Sequence, residues 1–157
     1  MQWPEPVERV AAFARRAGAE IRLEEFAVGA PTAREAALAI GCELGAIGKS
    51  IVFECDGRYV VALVPGDRRA DTGKVARLVG ASSASVASPD GVRAATGFDP
   101  GAVAPFPLAA VERVLVDRLL LAHPLVWVGA GSDRHMAGLA PVELVRLTRG
   151  ESVDAVE

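Results

Sequence analysis

The sequence is poor in cysteine and histidine, with two of each among its 157 residues. Cys42 and Cys55 form no CxxC motif, and two histidines add too little to build a zinc site. Both cysteines are better interpreted as small buried apolar residues than as redox groups. We therefore predict neither a metal nor any other cofactor.

The sequence also lacks the segments that direct a protein into or across a membrane. No apolar run approaches the roughly 18 residues of a membrane helix. The start, MQWPEPVERV, has no basic segment followed by an apolar one, so it does not resemble a secretory signal. The length is that of one domain, residues 1–157. We expect a cytoplasmic protein with no membrane partner.

Excess positive charge and clustered aromatic residues are absent too. The net charge is −3, and the aromatic residues, 5% of the chain, are scattered. A protein that grips a long nucleic-acid backbone is usually basic, and one that binds single strands usually offers a row of stacking rings. Any nucleic-acid partner is therefore expected to be held locally.

Alternating short strands and helices with clear end signals are present instead. Thr32 and Glu35 form a capping box ahead of an alanine-rich helix. Strands are predicted at 20–26, 84–87, 109–117 and 123–131, helices at 6–17, 69–80, 88–97 and 139–150, and a polar tail or final turn at 151–157. This mixture, with one antiparallel hairpin, predicts an α+β fold with a mixed, curled, barrel-like sheet surrounded by helices.

The hairpin contains one of only two lysines in the chain, Lys49. Asp56-Gly57 between two apolar runs predicts a two-residue turn, which places Lys49 opposite Val64 and in phase with the apolar residues of its strand. Asp67 is expected to neutralise its charge. The side chain either extends from a strand end into water or holds a phosphate or carboxylate at the mouth of a cavity.

Two further segments are candidates for a site. Residues 98–107, FDPGAVAPFP, are either a proline-rich surface connection or a turn whose amides converge on a developing oxyanion. Residues 129–135, GAGSDRH, contain Ser132, Asp133 and His135, which are too close in sequence to favour a nucleophilic triad. We interpret this segment as a polar strand-end loop that shapes a pocket.

The order of these segments resembles the YbaK-like family of free-standing aminoacyl-tRNA deacylases, which are related to the editing domain of bacterial prolyl-tRNA synthetase. The resemblance covers residues 20–150 and is carried by PTAREAALAIGCELGAIGKSIVF, YVVALVPGDRRAD, ATGFDPGAVAPFP and VWVGAGSDRHMAGLAPVELVRLT. It implies a curled mixed sheet and hydrolysis of wrongly charged tRNA. Pro100 and Pro107 flank the loop where many relatives have glycine.

The resemblance also implies which residues form the site. The hallmark lysine of the family matches Lys49, and its glycine-x-x-x-proline loop matches Gly101 to Pro105. We expect these three to be the catalytic residues. Further residues are expected to bind the substrate: Thr32, Phe98, Ala102, Gly129, Gly131, Ser132 and His135.

The resulting prediction is a trans-editing hydrolase that cleaves the ester of a mischarged aminoacyl-tRNA. Its partner would be the acceptor end of that tRNA, and a synthetase is a second possible partner. One alternative is a non-catalytic module that binds an aminoacyl or nucleotide group. Another is a serine hydrolase that uses Ser132 and His135.

Overall fold

A computed structural model describes residues 3–157. Within them lie five helices: α1 (Glu5–Arg16), α2 (Ala33–Ile40), α3 (Thr72–Val79), α4 (Pro89–Thr96) and α5 (Pro141–Thr148). Eight strands accompany them: β1 (Arg22–Glu25), β2 (Ile47–Cys55), β3 (Arg58–Pro65), β4 (Ser85–Val86), β5 (Arg113–Asp117), β6 (Val126–Gly129), β7 (His135–Leu139) and β8 (Glu151–Val153). Short 3₁₀ helices cover Leu44–Ala46 and Leu120–Ala122.

The strands form one mixed sheet in the order β1-β7-β6-β2-β3-β5-β8, with β4 added to β2. Pairing is parallel between β2 and β6, β3 and β5, and β5 and β8, and antiparallel elsewhere. The predicted α+β class, with a mixed curled sheet and helices around it, is confirmed.

Helices α2, α3 and α4 begin and end at the predicted signals. The Thr32 hydroxyl accepts a hydrogen bond from the Glu35 amide at 3.1 Å, and the Glu35 carboxylate accepts one from the Thr32 amide at 2.8 Å. The helix ends at Gly41, whose φ of 84° is left-handed. The side chains of Asp71 and Ser88 cap α3 and α4 by each accepting one hydrogen bond, from the amides of Lys74 and Gly91. Each signal is satisfied within a few residues, which is why the sequence predicts it well.

The hairpin has the predicted register. Asp56-Gly57 both have positive φ, 52° and 82°, as a type I′ turn requires. Cys55 pairs with Arg58, and Lys49 pairs with Val64. The position of Lys49 along β2 is therefore fixed by the turn and by every pair of the ladder between them.

Both faces of the sheet are covered. Val52 of β2 and Val61 and Leu63 of β3 point into a central core that also receives side chains from α1, α4 and α5. On the other face, Phe53 and Cys55 pack against α3, and Ile47 packs against α2. None of the helices in the described part of the chain is long and apolar enough to cross a membrane.

Two elements correct the sequence-based expectations. The segment 151–157 is not a free polar tail, because β8 pairs with β5 and Ala155 and Val156 are buried. The buried carboxylate of Asp117 fixes this segment by accepting a hydrogen bond from the Ala155 amide at 2.8 Å. Strand β7, which follows the 129–135 loop, was not predicted at all.

Candidate functional site

A cavity of about 290 Å³ opens beside the hairpin. Its wall is mostly apolar, with a polar side contributed by β2 and by the loop before β7. The lining residues are Phe26, Ala30, Pro31, Ala33, Ala36, Ile47, Gly48, Lys49, Ser50, Gly101, Val103, Gly129, Ser132, Asp133, His135 and Met136.

The cavity lies where two parallel strands separate. Strands β2 and β6 pair only at Ile47–Trp127 and Gly48–Val128. Beyond these pairs, Lys49 and Ser50 continue one strand while Gly129 ends the other, and all three line the cavity. The carboxyl ends of parallel strands are a common place for ligands, because the strand ends leave main-chain groups free there.

Lys49 lies at a break in the apolar covering of its face. Ile47 before it packs against α2, and Ile51 after it packs against α3. Its Nζ donates a hydrogen bond to the carbonyl oxygen of Arg68 at 3.2 Å. The expected partner was Asp67, but among residues 3–157 no ion pair joins the two side chains. The lysine is thus held by a neutral acceptor, which leaves its charge uncompensated within the described chain.

The loop around Gly101 lines the cavity opposite β2. Gly101 has a φ of 81°, and the amide of Ala102 donates to the carbonyl oxygen of Asp99 at 3.0 Å. Among residues 3–157, the amides of Gly101 and Val103 have no hydrogen-bond acceptor. Two main-chain donors of cavity-lining residues are therefore available to a ligand.

Gly129 allows this loop to approach β6 closely. A side chain at Gly129 would collide with the carbonyl oxygen of Val103. Glycine is therefore required for the strand end and the loop to lie side by side. The position of the Gly101–Val103 segment in the cavity depends on this contact.

The loop before β7 holds a buried histidine. Ser132 Oγ lies 2.5 Å from Nδ1 of His135 and accepts a hydrogen bond from the Arg134 amide at 3.0 Å. His135 is 3% exposed, and its Nε2 lies 3.8 Å from a carboxylate oxygen of Glu25. The Trp3 ring also packs against the imidazole in a T-shaped arrangement, with 5.6 Å between ring centroids.

Ser132, Asp133 and His135 do not form a relay of three side chains. Asp133 is exposed and its carboxylate lies against Gly29, while its carbonyl oxygen accepts a hydrogen bond from Ala30 at 2.7 Å. In the described chain the acid nearest the imidazole is Glu25, on another strand. The geometry therefore supports a polar wall better than a nucleophilic triad.

Half of the sequence-predicted site residues line the cavity, namely Lys49, Gly101, Gly129, Ser132 and His135. The others do not line it. Thr32 caps α2, Phe98 and Ala102 are 2% and 6% exposed, Pro105 is buried at the end of the loop, and Gly131 lies against the Pro6 carbonyl.

Sequence reasoning missed several residues that form the wall. No sequence signal singled out Ser50, Val103 or Met136 within their segments. Phe26 directly follows β1 and is distant in sequence from these three residues. Ser50 had one available signal, which is its position directly after Lys49.

The cysteines lie outside this wall. Burial raises the pKa of both the Cys42 and Cys55 thiols, which disfavours the reactive thiolate. Within residues 3–157 no three His, Cys, Asp or Glu side chains are grouped so that they could hold a metal ion.

Comparison with known proteins gives this geometry a family. Residues 27–147 match the family model described as the aminoacyl-tRNA editing domain. The proline–tRNA ligase of Nitratidesulfovibrio vulgaris (strain DP4) is 35% identical over 128 residues, which are 81% of this chain and 21% of that protein. The chain thus spans about a fifth of the length of that ligase.

Two further relatives match most of their own length. The uncharacterized protein YwhH of Bacillus subtilis is 35% identical over 121 residues, 76% of each chain. The crystal structure of a candidate trans-editing enzyme for prolyl-tRNA synthetase superposes with a TM-score of 0.92 at 34% identity and covers 99% of both chains.

These matches confirm the YbaK-like resemblance and support the predicted class of enzyme, an aminoacyl-tRNA deacylase. Because the family model covers most of the sequence, the chain belongs to the aminoacyl-tRNA editing domain family.

Proposed function

We propose that this protein is a trans-editing hydrolase that releases a small, wrongly attached amino acid from tRNA charged by prolyl-tRNA synthetase. The observation that carries the proposal is that one cavity is lined by both Lys49 and Gly101. The relatives named as proline–tRNA ligases and as a candidate trans-editing enzyme support the choice of tRNA.

The problem that such an enzyme solves is physical. A synthetase rejects an amino acid smaller than its own only weakly, because one missing methylene is worth about 1–3 kcal/mol. A second, smaller pocket that admits only the smaller amino acid can then hydrolyse its ester. A cavity of about 290 Å³ with an apolar wall suits a small aminoacyl group and leaves the adenosine at its mouth.

In the proposed mechanism the Gly101–Pro105 loop stabilises the tetrahedral oxyanion. The amides of Gly101 and Val103, which lack acceptors within residues 3–157, are the donors for this charge. Fixed main-chain dipoles of this kind lower the barrier without reorganising during the reaction.

Lys49 anchors the phosphate or sugar of the terminal adenosine. An ammonium has three donors, and the carbonyl oxygen of Arg68 occupies one, so two remain for the ligand. Arg68 and Arg69, on the segment that holds Lys49, are exposed and add positive charge near this lysine. This local charge permits a chain of net charge −3 to bind an acceptor end.

The proposed reaction is attack by water on an ester that is already activated. Water adds to the carbonyl carbon, the oxyanion forms at the loop, and the ribose hydroxyl leaves with a proton. A weak base, or one supplied by the substrate, is sufficient for such an ester.

Lys49→Met tests the mechanism on tRNAPro carrying alanine, cysteine, serine or threonine. Removing a charged anchor is expected to slow release roughly tenfold to a hundredfold. Lys49→Arg should retain part of the rate, because it keeps the charge. Arg16→Met, which removes an exposed charge from α1, is the matched control and should leave the rate unchanged.

Two results would count against the proposal in different ways. Unchanged hydrolysis by Lys49→Met on every cleaved substrate would remove Lys49 from the mechanism. Failure of the wild-type protein to release any of the four amino acids would refute the function itself.

A further inference from the structure

Ser50 has a buried hydroxyl that nothing in the described chain satisfies. Its Oγ is out of contact with solvent and has no hydrogen-bond partner within residues 3–157, although the residue lines the cavity. Buried hydroxyl groups are nearly always bonded, because losing water without a replacement is unfavourable. An exception in the wall of a site points to a ligand group as the missing partner.

The main chain at Ser50 is also unpaired on one side. In the antiparallel β2–β3 ladder, every second residue of β2 forms main-chain hydrogen bonds with β3. Counting from the turn, Cys55 and Lys49 are at such positions. Ser50 is not, so its amide and carbonyl point away from β3. On that side of β2, pairing with β6 ends at Gly48, and pairing with β4 begins only at Phe53. Ser50 thus occupies the gap in the sheet.

The other polar groups of the wall are already engaged or exposed. Lys49 bonds to the carbonyl of Arg68, and Ser132 bonds to His135. Asp133 is exposed to water at the rim. Of the polar side chains that line the cavity, Ser50 is the one whose oxygen is buried with its hydrogen-bonding capacity unused.

The side chain of Ser50 points away from Lys49, because neighbouring residues of a strand face opposite ways. It lies in phase with Val52, on the face that packs with Ala104 of the 98–107 loop. The phosphate anchor and the oxyanion donors have been assigned to Lys49 and to that loop. The polar groups of an aminoacyl ester still without a partner are the α-ammonium, which every substrate shares, and the side-chain hydroxyl, which only serine and threonine carry.

We infer that Ser50 sets the specificity of the pocket by hydrogen bonding to a side-chain hydroxyl, so that seryl and threonyl esters are preferred over alanyl esters. This inference rests on the proposed function. A site built to hydrogen-bond a substrate hydroxyl disfavours the analogue without it, because its own buried group then stays unpaired. Serine and alanine differ by that one oxygen, so the comparison isolates the contact.

The test measures release of serine and of alanine from the same tRNAPro by wild-type protein, Ser50→Ala and Ser50→Thr. Wild type is expected to cleave the seryl ester roughly tenfold faster than the alanyl ester. Ser50→Ala should lose that preference because the seryl reaction slows more than the alanyl reaction, and its urea unfolding curve serves as the control for folding. Ser50→Thr keeps a hydroxyl and should retain the preference.

Binding provides a second readout that does not depend on turnover. Non-hydrolysable adenosine amides of serine and alanine serve as probes in calorimetric titrations. The seryl amide is expected to bind wild type more tightly than the alanyl amide, and Ser50→Ala should bind the two equally.

The outcomes separate the inference from the proposed function. Equal losses on both esters in Ser50→Ala would show that Ser50 contacts a group common to all substrates, or supports the fold, and would overturn the inference. A wild type that cleaves both esters without preference would overturn it too, while leaving the editing activity intact. A wild type that cleaves neither would overturn both.

Discussion

The Nζ atom of Lys49 donates its hydrogen bond to the main chain of Arg68, nineteen residues along the sequence. The acceptor is a carbonyl oxygen, so any side chain at position 68 can provide it. The orientation of the ammonium therefore depends on the path of the 66–71 segment. That segment is in turn held by the last residues of the chain.

Lys74→Met is predicted to weaken substrate binding from a distance. Lys74 Nζ bonds to both carboxylate oxygens of Asp154 at 3.0 Å and to the carbonyl of Val156 at 2.6 Å. Lys74 thereby fixes the residues just after β8. There the Ala155 carbonyl oxygen accepts a hydrogen bond from the Asp71 amide, and Val156 forms a β-bridge with Ala70. We expect faster hydrogen exchange at 68–71 and a KM raised several-fold with kcat little changed.

Arg77→Met is the control for that prediction, because Arg77 is exposed on the same helix. It should change neither exchange nor KM. Unaltered exchange at 68–71 in Lys74→Met would show that the segment keeps its path without the lysine.

Gly129→Ala is predicted to displace the loop from the cavity. The added methyl group would meet the Val103 carbonyl oxygen, and neither backbone can yield without moving the strand or the loop. We expect a loss of about 1–3 kcal/mol in the free energy of unfolding. Because small misplacements of reacting groups are costly, deacylation should fall by about a hundredfold.

Gly18→Ala provides the comparison. Gly18 has a φ of 71° but open space around it, so the substitution should cost about 1–2 kcal/mol from left-handed strain alone. Its deacylation rate should match wild type. Wild-type activity in Gly129→Ala would mean that the close approach is not needed for the reaction.

Stability is predicted to fall at acid pH. Hydrogen bonds hold the pKa of four carboxyl groups below their ordinary values: Glu35 at Thr32, Asp56 at Ser82, Glu151 at Arg113 and Asp154 at Lys74. The unfolded chain then binds more protons than the folded one. These groups make their full contribution to the free energy of unfolding above their pKa in the unfolded chain, near 4.5 for glutamate and 3.8 for aspartate. That contribution is lost as pH falls through the lower pKa values of the folded protein.

Glu151→Gln tests this on one pair. The variant should be less stable than wild type in urea unfolding at pH 7, and the difference should shrink as pH falls below 4.5 through the lower folded pKa of Glu151. The Arg113 guanidinium, whose own pKa is raised mainly by its hydrogen bond to Glu151, stays charged throughout. A difference that stays constant from pH 7 to acid would show that the contact does not act through the charge of Glu151.

A fluorophosphonate probe is predicted to leave the protein unlabelled. Ser132 bonds to Nδ1 of His135 and accepts the Arg134 amide, an arrangement that fixes the loop and lacks a third relay residue. Intact-mass measurement after incubation should show no adduct, with deacylation retained. An adduct on Ser132 with loss of activity would establish the serine-hydrolase alternative.

The fold was predictable wherever a signal is satisfied locally. The capping box at Thr32 and the Asp56-Gly57 turn each determine their own geometry, and the turn also determines the pairing of Lys49. Strands β7 and β8 were missed because HMAGL is rich in small residues and ESV is only three residues long. Their pairing with distant strands is what makes them strands.

The site was predictable in part for the same reason. Lys49 stood out as a lysine on an apolar phase, but its partner was wrongly predicted. In the turn after β3, the Pro65 carbonyl oxygen accepts a hydrogen bond from the Arg68 amide at 3.1 Å. The Arg68 carbonyl oxygen then accepts the hydrogen bond from Lys49. The only sequence signal for Ser50 is its position directly after Lys49, because its isolation depends on where β6 leaves β2.

The two strands at the margins of the sheet, β1 and β8, are only four and three residues long. Three of the four residues of β1 are charged, namely Arg22, Glu24 and Glu25. Strand β8 begins with the charged residue Glu151. Short, charged borders offer little template on which a foreign strand could add. The sheet thus has its gap in the middle, at Ser50, while both outer strands are poor templates for pairing with another copy of the chain.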